Sequence, residues 1–342
     1  MRIKGVDFLR GVAVILVMYR HGDYKNTLQF IGWAGVDLFF VLSGFLVSGL
    51  VFKEYATHGK VNVKRFLIRR GFKIYPAFYF FVLFSILLFH YQTGQWYGEG
   101  LIFNEIFYLQ NYREGMFVHT WSLAVEEHFY FGFALFIFLC LRFHVLNNKR
   151  FMIGFFIGLL ALTFLMRFMI SFQNMNERFF MFTSTHLRMD GIVVGVLISY
   201  LYYFTDIHKA FLTHRYIFLA FSCVLLSTVC VFPAGSFFMN AFGIVAINLG
   251  FGLIVLLIVV SKHIVNSRIG YIKQMPFAVI CFIGVHSYSI YLWHIEARKI
   301  VNQISAPWLT PVLFLMIPLL VGIVLSYSIE KPFLKLREVL CP

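Results

Sequence analysis

Long apolar stretches alternate with short polar segments along nearly the whole chain. A helix that crosses a membrane needs about 20 mostly apolar residues. Ten stretches approach this length, and they predict transmembrane helices near residues 6–21, 33–52, 75–91, 122–141, 151–171, 189–204, 216–232, 238–261, 277–297 and 309–329. The segments between them are too short for a separate soluble domain. The pattern therefore predicts an all-α integral membrane protein with one transmembrane domain over residues 1–342 and no appended soluble domain.

Two of these stretches predict local features of the helices. Proline is tolerated in the first turn of a helix, so Tyr75 and Pro76 are expected to begin the third one. Ser43 and Gly44 are small enough to let another helix approach closely. Asp37 lies seven residues before Gly44 and shares its helix face. We therefore expect a neighbouring helix to pack tightly beneath this carboxylate.

The composition excludes several classes of protein. Hydrophobic residues make up 60% of the chain, charged residues only 13%, and the mean hydropathy is +0.80. A soluble domain carries about 25% charged residues. A soluble enzyme, a disordered region, a secreted disulfide scaffold and an ordinary nucleic-acid-binding protein are all inconsistent with these values.

The basic residues predict the orientation in the membrane. The chain has 29 Lys and Arg against 15 Asp and Glu, a formal charge of +14. With the N-terminus in the cytoplasm, 20 of the 29 basic residues fall in inside segments and five in outside loops. Cytoplasmic segments of membrane proteins carry such an excess. We therefore expect a multi-pass protein of the inner (plasma) membrane with both termini cytoplasmic. Its first span should remain as an anchor, because Arg10 interrupts the apolar run and no cleavage site follows.

Most of the ionisable side chains inside the predicted spans lie toward the outer face. Such side chains are costly in a membrane and are therefore functional candidates. Arg10 lies in the inner half of the first span and His21 at its outer end, eleven residues apart. This spacing puts both on one helix face, about 16 Å apart in height. A structural explanation is as plausible as a functional one: Arg10 would be buried and paired with a carboxylate, and His21 would lie at the water interface. The other outer candidates are Asp37, Glu126, Glu127, Arg167, Arg188, Asp190, His294 and Glu296.

A basic cluster marks the inner mouth of the third predicted span. It contains Lys64, Arg65, Arg69, Arg70 and Lys73 within ten residues. Such a cluster can serve as cytoplasmic retention charge, and it also suits an anionic, phosphorylated ligand. The twelve histidines show no ligand spacing such as H-E-x-x-H, so no metal site is expected.

The fourth predicted span begins with several polar side chains. Ser122 and Glu126 are four residues apart and share one helix face, whereas Glu127 and His128 point elsewhere. Trp121 alone is typical of the aromatic belt at a membrane interface. Two carboxylates and a histidine at membrane depth favour a functional site.

Taken together, the motifs resemble the membrane-bound acyltransferase 3 family, whose members O-acylate cell-envelope and extracellular carbohydrates. The resemblance extends over nearly the whole chain. Lys73 departs from the family's usual third arginine, which replaces a bidentate phosphate contact by a point charge. The motifs that carry the resemblance are Arg10 with His21, and residues 35–46, 69–76, 121–126, 188–191, 287–294 and 330–333.

The resemblance implies a reaction across the membrane. A cytoplasmic acyl-CoA, with acetyl-CoA the expected co-substrate, would donate its acyl group to a hydroxyl of an extracytoplasmic or lipid-linked carbohydrate such as O-antigen or exopolysaccharide. His21 would act as general base or as acyl carrier, because an unperturbed imidazole titrates near neutral pH. Asp37 or Glu126 would orient His21, and Arg10 would meet the thioester arm.

The remaining site residues also follow from the resemblance. The expected CoA-binding residues are Arg65, Arg69, Arg70, Lys73 and Tyr75. The expected acceptor-binding residues are Trp121, Ser122, Arg188, Asp190 and His294. The partners implied are the carbohydrate acceptor, the lipid bilayer and other envelope-polysaccharide enzymes, with no nucleic acid. Any second acyl-handling step would need another protein.

Two other functions stay open at this stage. Carboxylates and histidines within spans also serve proton relays, so a proton-coupled transporter or channel is one alternative. The sequence shows neither the internal repeats nor the broken helices in matching positions that many transporters have. The second alternative is a non-catalytic member of an envelope-polysaccharide complex. The joint presence of Arg10, His21 and Glu126 weighs against it.

Overall fold

The computed structural model describes residues 3–22, 24, 26–173, 178–261, 275–302 and 309–341. Within these ranges the regular secondary structure is helical, without strands. Five of the basic residues counted for the orientation lie outside them: Arg2, Lys25, Lys262, Arg268 and Lys273.

The helices of the first half are α1 (Lys4–His21), α2 (Thr27–Ile31), α3 (Ala34–His58), α4 (Val63–Thr93), α5 (Glu99–Ile106), α6 (Trp121–Arg142) and α7 (Lys149–Phe172). The middle of the chain contains α8 (Arg178–Thr183), α9 (Thr185–Arg188), α10 (Asp190–Phe204), α11 (Ile207–Thr213), α12 (Arg215–Val231) and α13 (Ile244–Val260). The last four are α14 (Met275–Val285), α15 (Ser287–Asn302), α16 (Thr310–Leu325) and α17 (Lys331–Leu340). A π-helical turn precedes α13 (Met239–Gly243) and another precedes α17 (Ser326–Glu330).

The described residues contain six helices that are long and apolar enough to cross a membrane, or up to eight if two bent pairs each count as one span. A helix occurs at every one of the ten predicted positions. The helices α1 and α12, at the first and seventh predicted positions, are not among the six to eight candidate spans. The first is rich in charged residues, and the second has only 17 residues. The described residues therefore support a multi-pass membrane protein with six to eight candidate spans.

One predicted helix start is wrong, and one predicted span is broken in its middle. The third helix begins at Val63, where the Asn62 side chain accepts a hydrogen bond from the backbone N–H of Arg65, and Pro76 lies inside the helix. Hydrophobicity missed these first turns because their exposed face is basic. The ninth predicted span is broken into α14 and α15, whose axes are inclined by 79°.

Close backbone contact joins α3 to α10, as the small residues predict. A Cβ atom added to Gly44 would lie 2.0 Å from the carbonyl oxygen of Ile192, and one added to Gly195 would lie 2.1 Å from that of Val41. No side chain fits at these two positions without moving a backbone. The prediction of tight packing beneath Asp37 is confirmed.

Two buried ion pairs hold the end of this helix group that carries Asp37. Asp37 on α3 accepts a hydrogen bond of 2.8 Å from Arg188, the last residue of α9. Asp190 accepts one of 2.7 Å from Arg167 on α7. All four side chains are almost fully buried. Removing one partner of such a pair leaves an uncompensated charge, so these contacts fix the relative positions of α3, α7 and α10.

The helix α1 is fixed equally closely. A Cβ atom on Gly11 would lie 2.1 Å from the carbonyl oxygen of Ile280, and one on Gly284 would lie 1.8 Å from that of Asp7. Because α1 and α14 touch along their backbones, the two candidate side chains of α1, Arg10 and His21, project from a rigid support.

Candidate active site

A cavity of about 630 Å³ lies between α1, α3, α4, α6, α15 and α17. Its wall carries basic side chains from the start of α4, and it reaches the first turn of α6 at Ser122 and residue Tyr291 of α15. The titratable side chains of its wall are Arg10, Glu54, His58, Arg65, Arg69, Arg70, Lys73, Glu126, Glu127, Tyr288, Tyr291 and Arg337. The cavity therefore connects a basic region to a group of hydroxyl side chains.

One face of α4 supplies most of the positive charge. Arg65, Arg69 and Lys73 recur every fourth residue and so share this face, over a rise of about 12 Å. Arg70 donates a hydrogen bond to the Tyr130 hydroxyl, and its guanidinium lies 4.2 Å from the centre of that ring. All four basic residues expected to bind CoA line the cavity.

The fifth expected CoA-binding residue is elsewhere. Tyr75 is absent from the described cavity wall, and its hydroxyl donates a hydrogen bond of 2.9 Å to Glu127. The reason is helical geometry, because a residue two positions after Lys73 is turned away by about 200°. Tyr75 instead lines a separate apolar groove between α4 and α6.

Glu126 is anchored within the cavity wall. It accepts hydrogen bonds from Ser43 at 2.6 Å and from Tyr130 at 2.7 Å, and it lies 3.9 Å from Arg70. Ser122 lines the same cavity, as their shared helix face predicts. Arg10 also lines it.

The expected contact between His21 and a carboxylate is not found among the described residues. Asp37 is bound to Arg188 instead, and Glu126 is bound to Ser43 and Tyr130. The packing of their helices places both carboxylates beside other partners. Their predicted depth in the membrane could not show which side chains they contact. The neighbour of His21 is another histidine.

His21 and His294 form a hydrogen-bonded pair. The distance between Nδ1 of His21 and Nε2 of His294 is 3.0 Å. Nδ1 of His21 also lies 3.1 Å from the Val17 carbonyl oxygen, and Nδ1 of His294 lies 2.6 Å from the Tyr291 carbonyl oxygen. Arg298 donates a hydrogen bond to the backbone carbonyl of His21 and so fixes the end of α1.

These contacts allow one arrangement of protons on the neutral pair. A carbonyl oxygen only accepts hydrogen bonds. Nδ1 of His294 therefore carries a proton and donates a hydrogen bond to the backbone carbonyl of Tyr291. Its Nε2 then has the lone pair and accepts from the protonated Nδ1 of His21. The free lone pair of His21 is therefore on Nε2. A histidine in this tautomer can accept a proton at Nε2.

Tyr291 lies between the histidine pair and the cavity. Its hydroxyl lines the cavity, lies 2.5 Å from the Ser122 hydroxyl and donates to the His119 carbonyl at 2.7 Å. Its ring centre is 5.6 Å from that of His294. The cavity thus reaches the immediate neighbourhood of the histidines without including His21 in its described wall.

Three of the five expected acceptor-binding residues have structural partners instead. The charges of Arg188 and Asp190 are taken up by the buried ion pairs described above. Trp121 meets Phe40 edge to face at 5.9 Å and lies 5.6 Å beneath the Arg188 guanidinium. Only Ser122 lines the cavity, whereas His294 contacts His21.

Three residues of this region were not identified from the sequence. Tyr291 lies inside the motif at 287–294, and His119 lies two residues before Trp121, so both were close to recognised signals. His119 donates through Nε2 to the Leu292 carbonyl at 3.0 Å, and its ring centre is 4.9 Å from that of His294. Burial lowers the pKa of the His119 imidazole to about 3, so this ring stays neutral. The third residue, Arg337, follows the last recognised motif.

Comparison with known proteins agrees with these features. The family model Acyl_transf_3, described as an acyltransferase domain, matches residues 3–331. The chain belongs to this acyltransferase family. No solved structure matches it significantly.

Two curated relatives illustrate the family. One is named "Putative O-acetyltransferase" in Staphylococcus aureus strain COL and is 29% identical over an alignment of 372 positions. Another is O-acetyltransferase OatA of Staphylococcus aureus strain NCTC 8325, which is 27% identical over an alignment of 361 positions. Each alignment covers 97% of this chain and 57% of the relative. The chain therefore spans a little over half the length of these relatives.

Proposed function

We propose that this protein is a membrane O-acyltransferase. It moves an acyl group, acetyl by the names of its relatives, from cytoplasmic acyl-CoA to a hydroxyl of an extracytoplasmic or lipid-linked carbohydrate of the cell envelope. The observation that carries the proposal is the single cavity that joins the basic face of α4 to Ser122 and Tyr291, beside the histidine pair. The proposal includes ten spans in the inner membrane and cytoplasmic termini, supported by the distribution of basic residues.

The donor enters from the basic end of the cavity. Arg65, Arg69, Arg70 and Lys73 bind the phosphates of CoA through charge-assisted hydrogen bonds. The pantetheine arm then extends along the cavity, past Arg10, toward Ser122. Arg10 lines the cavity along this path, so its guanidinium can donate hydrogen bonds to the amide and thioester carbonyls of the arm.

The histidine pair supplies the proton transfer. Nε2 of His21 takes the proton of the acceptor hydroxyl while the hydroxyl oxygen attacks the thioester carbonyl carbon. The tetrahedral intermediate collapses with cleavage of the carbon–sulfur bond, and the proton on His21 passes to the departing thiolate. The Ser122 hydroxyl lies at this end of the cavity, and by turning from the Tyr291 hydroxyl it can donate a hydrogen bond to the developing oxyanion. In the other version of the mechanism, His21 carries the acyl group first.

A transport function has one structural observation in its favour. The α14–α15 pair is broken next to His286, and broken helices occur at the substrate sites of many transporters. Purified protein in liposomes separates the two functions. An acyl-CoA-dependent ester product supports the acyltransferase, and carbohydrate or proton flux without any product supports the transporter.

The roles of His21 and Arg69 are tested by separate alanine substitutions. His21→Ala is expected to abolish glycan acylation at any donor concentration. Arg69→Ala is expected to raise the KM for acetyl-CoA and to leave substantial activity at saturation. His214→Ala, in the α11–α12 connection, is the matched control and should behave as the parent. Normal acylation by His21→Ala, at equal protein level, would eliminate His21 as base and as carrier.

A further inference from the structure

The helix α17 closes one side of the basic cavity. Both of its ends are bonded to the basic face of α4. Glu330, the residue before α17, lies 3.9 Å from Lys73, and the carbonyl of Cys341, the residue after it, accepts a hydrogen bond from Arg69. These contacts hold α17 across the region where the phosphates of the donor are proposed to bind.

One side chain of α17 points into this region. Arg337 lines the cavity together with Arg65 and Arg69, although it is far from α4 in sequence. The cavity wall therefore gathers positive charge from two helices, α4 and α17, and an anionic ligand would neutralise this charge.

The charge on Arg337 is poorly compensated within the described structure. Its ion-pair partner is its neighbour Glu338 at 4.0 Å, and 69% of that side chain is exposed to solvent. A pair of this kind contributes little. The buried Nε atom of Arg337 has no hydrogen-bond partner among the described residues. Across the cavity wall, six Lys or Arg side chains face only three Glu side chains.

We propose that Arg337 is a donor-binding residue that contacts a phosphate of the nucleotide end of CoA. The inference rests on the proposed function and extends its donor site from α4 to α17. Arg337 and Arg69 present two planar guanidinium groups, each able to bind a phosphate through two hydrogen bonds. The nucleotide end of the donor is thus held between two helices, and the pantetheine arm extends toward Arg10 and Ser122.

Kinetics of the full-length protein in liposomes test this assignment. The variants are Arg337→Gln, Arg337→Lys and the control Lys335→Gln. Lys335 is an exposed residue of the same helix and does not belong to the described cavity wall. The donors are acetyl-CoA and S-acetyl-pantetheine, which lacks the nucleotide and its phosphates. The measured quantities are KM and kcat for each donor.

We expect Arg337→Gln to raise the KM for acetyl-CoA about tenfold, as the loss of one charged hydrogen-bond pair predicts. Its kcat should stay within about twofold, because no reacting atom is touched. Arg337→Lys should retain part of the affinity, and Lys335→Gln all of it. With S-acetyl-pantetheine, Arg337→Gln and the parent should have equal KM values.

Two results would overturn the inference. One is an unchanged KM for acetyl-CoA in Arg337→Gln, and the other is an equal rise in KM for both donors. Either result leaves the proposed function intact, because the parent would still transfer the acyl group. If the parent itself transfers nothing from acetyl-CoA, the proposed function is wrong, and the inference about Arg337 fails with it.

Discussion

His21 takes its chemical form from its neighbours. Its Nδ1 proton is directed to the Val17 carbonyl and to His294, which is itself fixed by the Tyr291 carbonyl. The free lone pair of His21 is consequently on Nε2. We therefore propose that His294 positions His21, whereas the sequence analysis assigned His294 to the acceptor.

Substitution of His294 distinguishes positioning from acceptor binding. His294→Ala is expected to lower kcat by about 100-fold, because His21 loses the partner that fixes its tautomer. His294→Gln should recover part of the loss, since the amide oxygen can still accept from Nδ1 of His21. The KM for acetyl-CoA should not change in either variant. A rise in acceptor KM with unchanged kcat would instead support the acceptor-binding role.

Glu105 links stability to pH. This fully buried carboxylate on α5 accepts a hydrogen bond of 3.1 Å from the backbone N–H of Met116, in the loop that carries His119. Burial raises the pKa of the Glu105 carboxyl to about 7. The folded state therefore binds a proton that the unfolded state releases near pH 4.5, and stability is lost as the pH rises from about 4.5 to about 7.

The expected size of this effect is about 3 kcal/mol at most, from about 1.4 kcal/mol for each pH unit. Thermal unfolding of the parent should show a falling Tm over this pH range. Glu105→Gln should flatten the curve, because an amide does not titrate. An identical pH dependence in both proteins would show that Glu105 does not titrate with folding.

At the scale of elements, helical periodicity predicts which residues share a face but not which helices meet. The common face of Ser122 and Glu126 and the close packing at Gly44 followed from spacing alone. The pairs Asp37–Arg188 and His21–His294 join residues 151 and 273 positions apart, so they depend on the tertiary fold. The early start of α4 was missed because hydrophobicity does not detect helical turns with a basic face.

The contact between α3 and α10 makes a prediction about glycine. Gly195→Ala is expected to destabilise the protein by about 1–3 kcal/mol, because its Cβ would overlap the Val41 carbonyl of α3. Gly158→Ala on α7 is the matched control, since a Cβ there has open space within 4 Å. Thermal unfolding of the detergent-solubilised proteins, followed by fluorescence, gives both Tm values. Equal Tm values for Gly195→Ala and the parent would contradict the close approach of the two backbones.

At the scale of the whole molecule, charge and chemistry are separated along one cavity. Basic side chains from α1, α4 and α17 surround one part, whereas Ser122 and Tyr291 adjoin the histidine pair. The sequence predicted the membrane class, the basic cluster and the family motifs, because these depend on composition and local order. The route between donor and histidines could not be predicted, since it is formed by side chains from six helices.

The proposed reaction takes its donor on the cytoplasmic side of the membrane and its acceptor on the other side. Sealed vesicles of each orientation, supplied externally with radiolabelled acetyl-CoA, distinguish the two sides. Inside-out vesicles should transfer base-labile label to the glycan fraction, and the Arg69→Ala variant should do so only at higher donor concentration. Right-side-out vesicles should give label only after permeabilisation. Equal labelling of intact vesicles in both orientations would contradict the account.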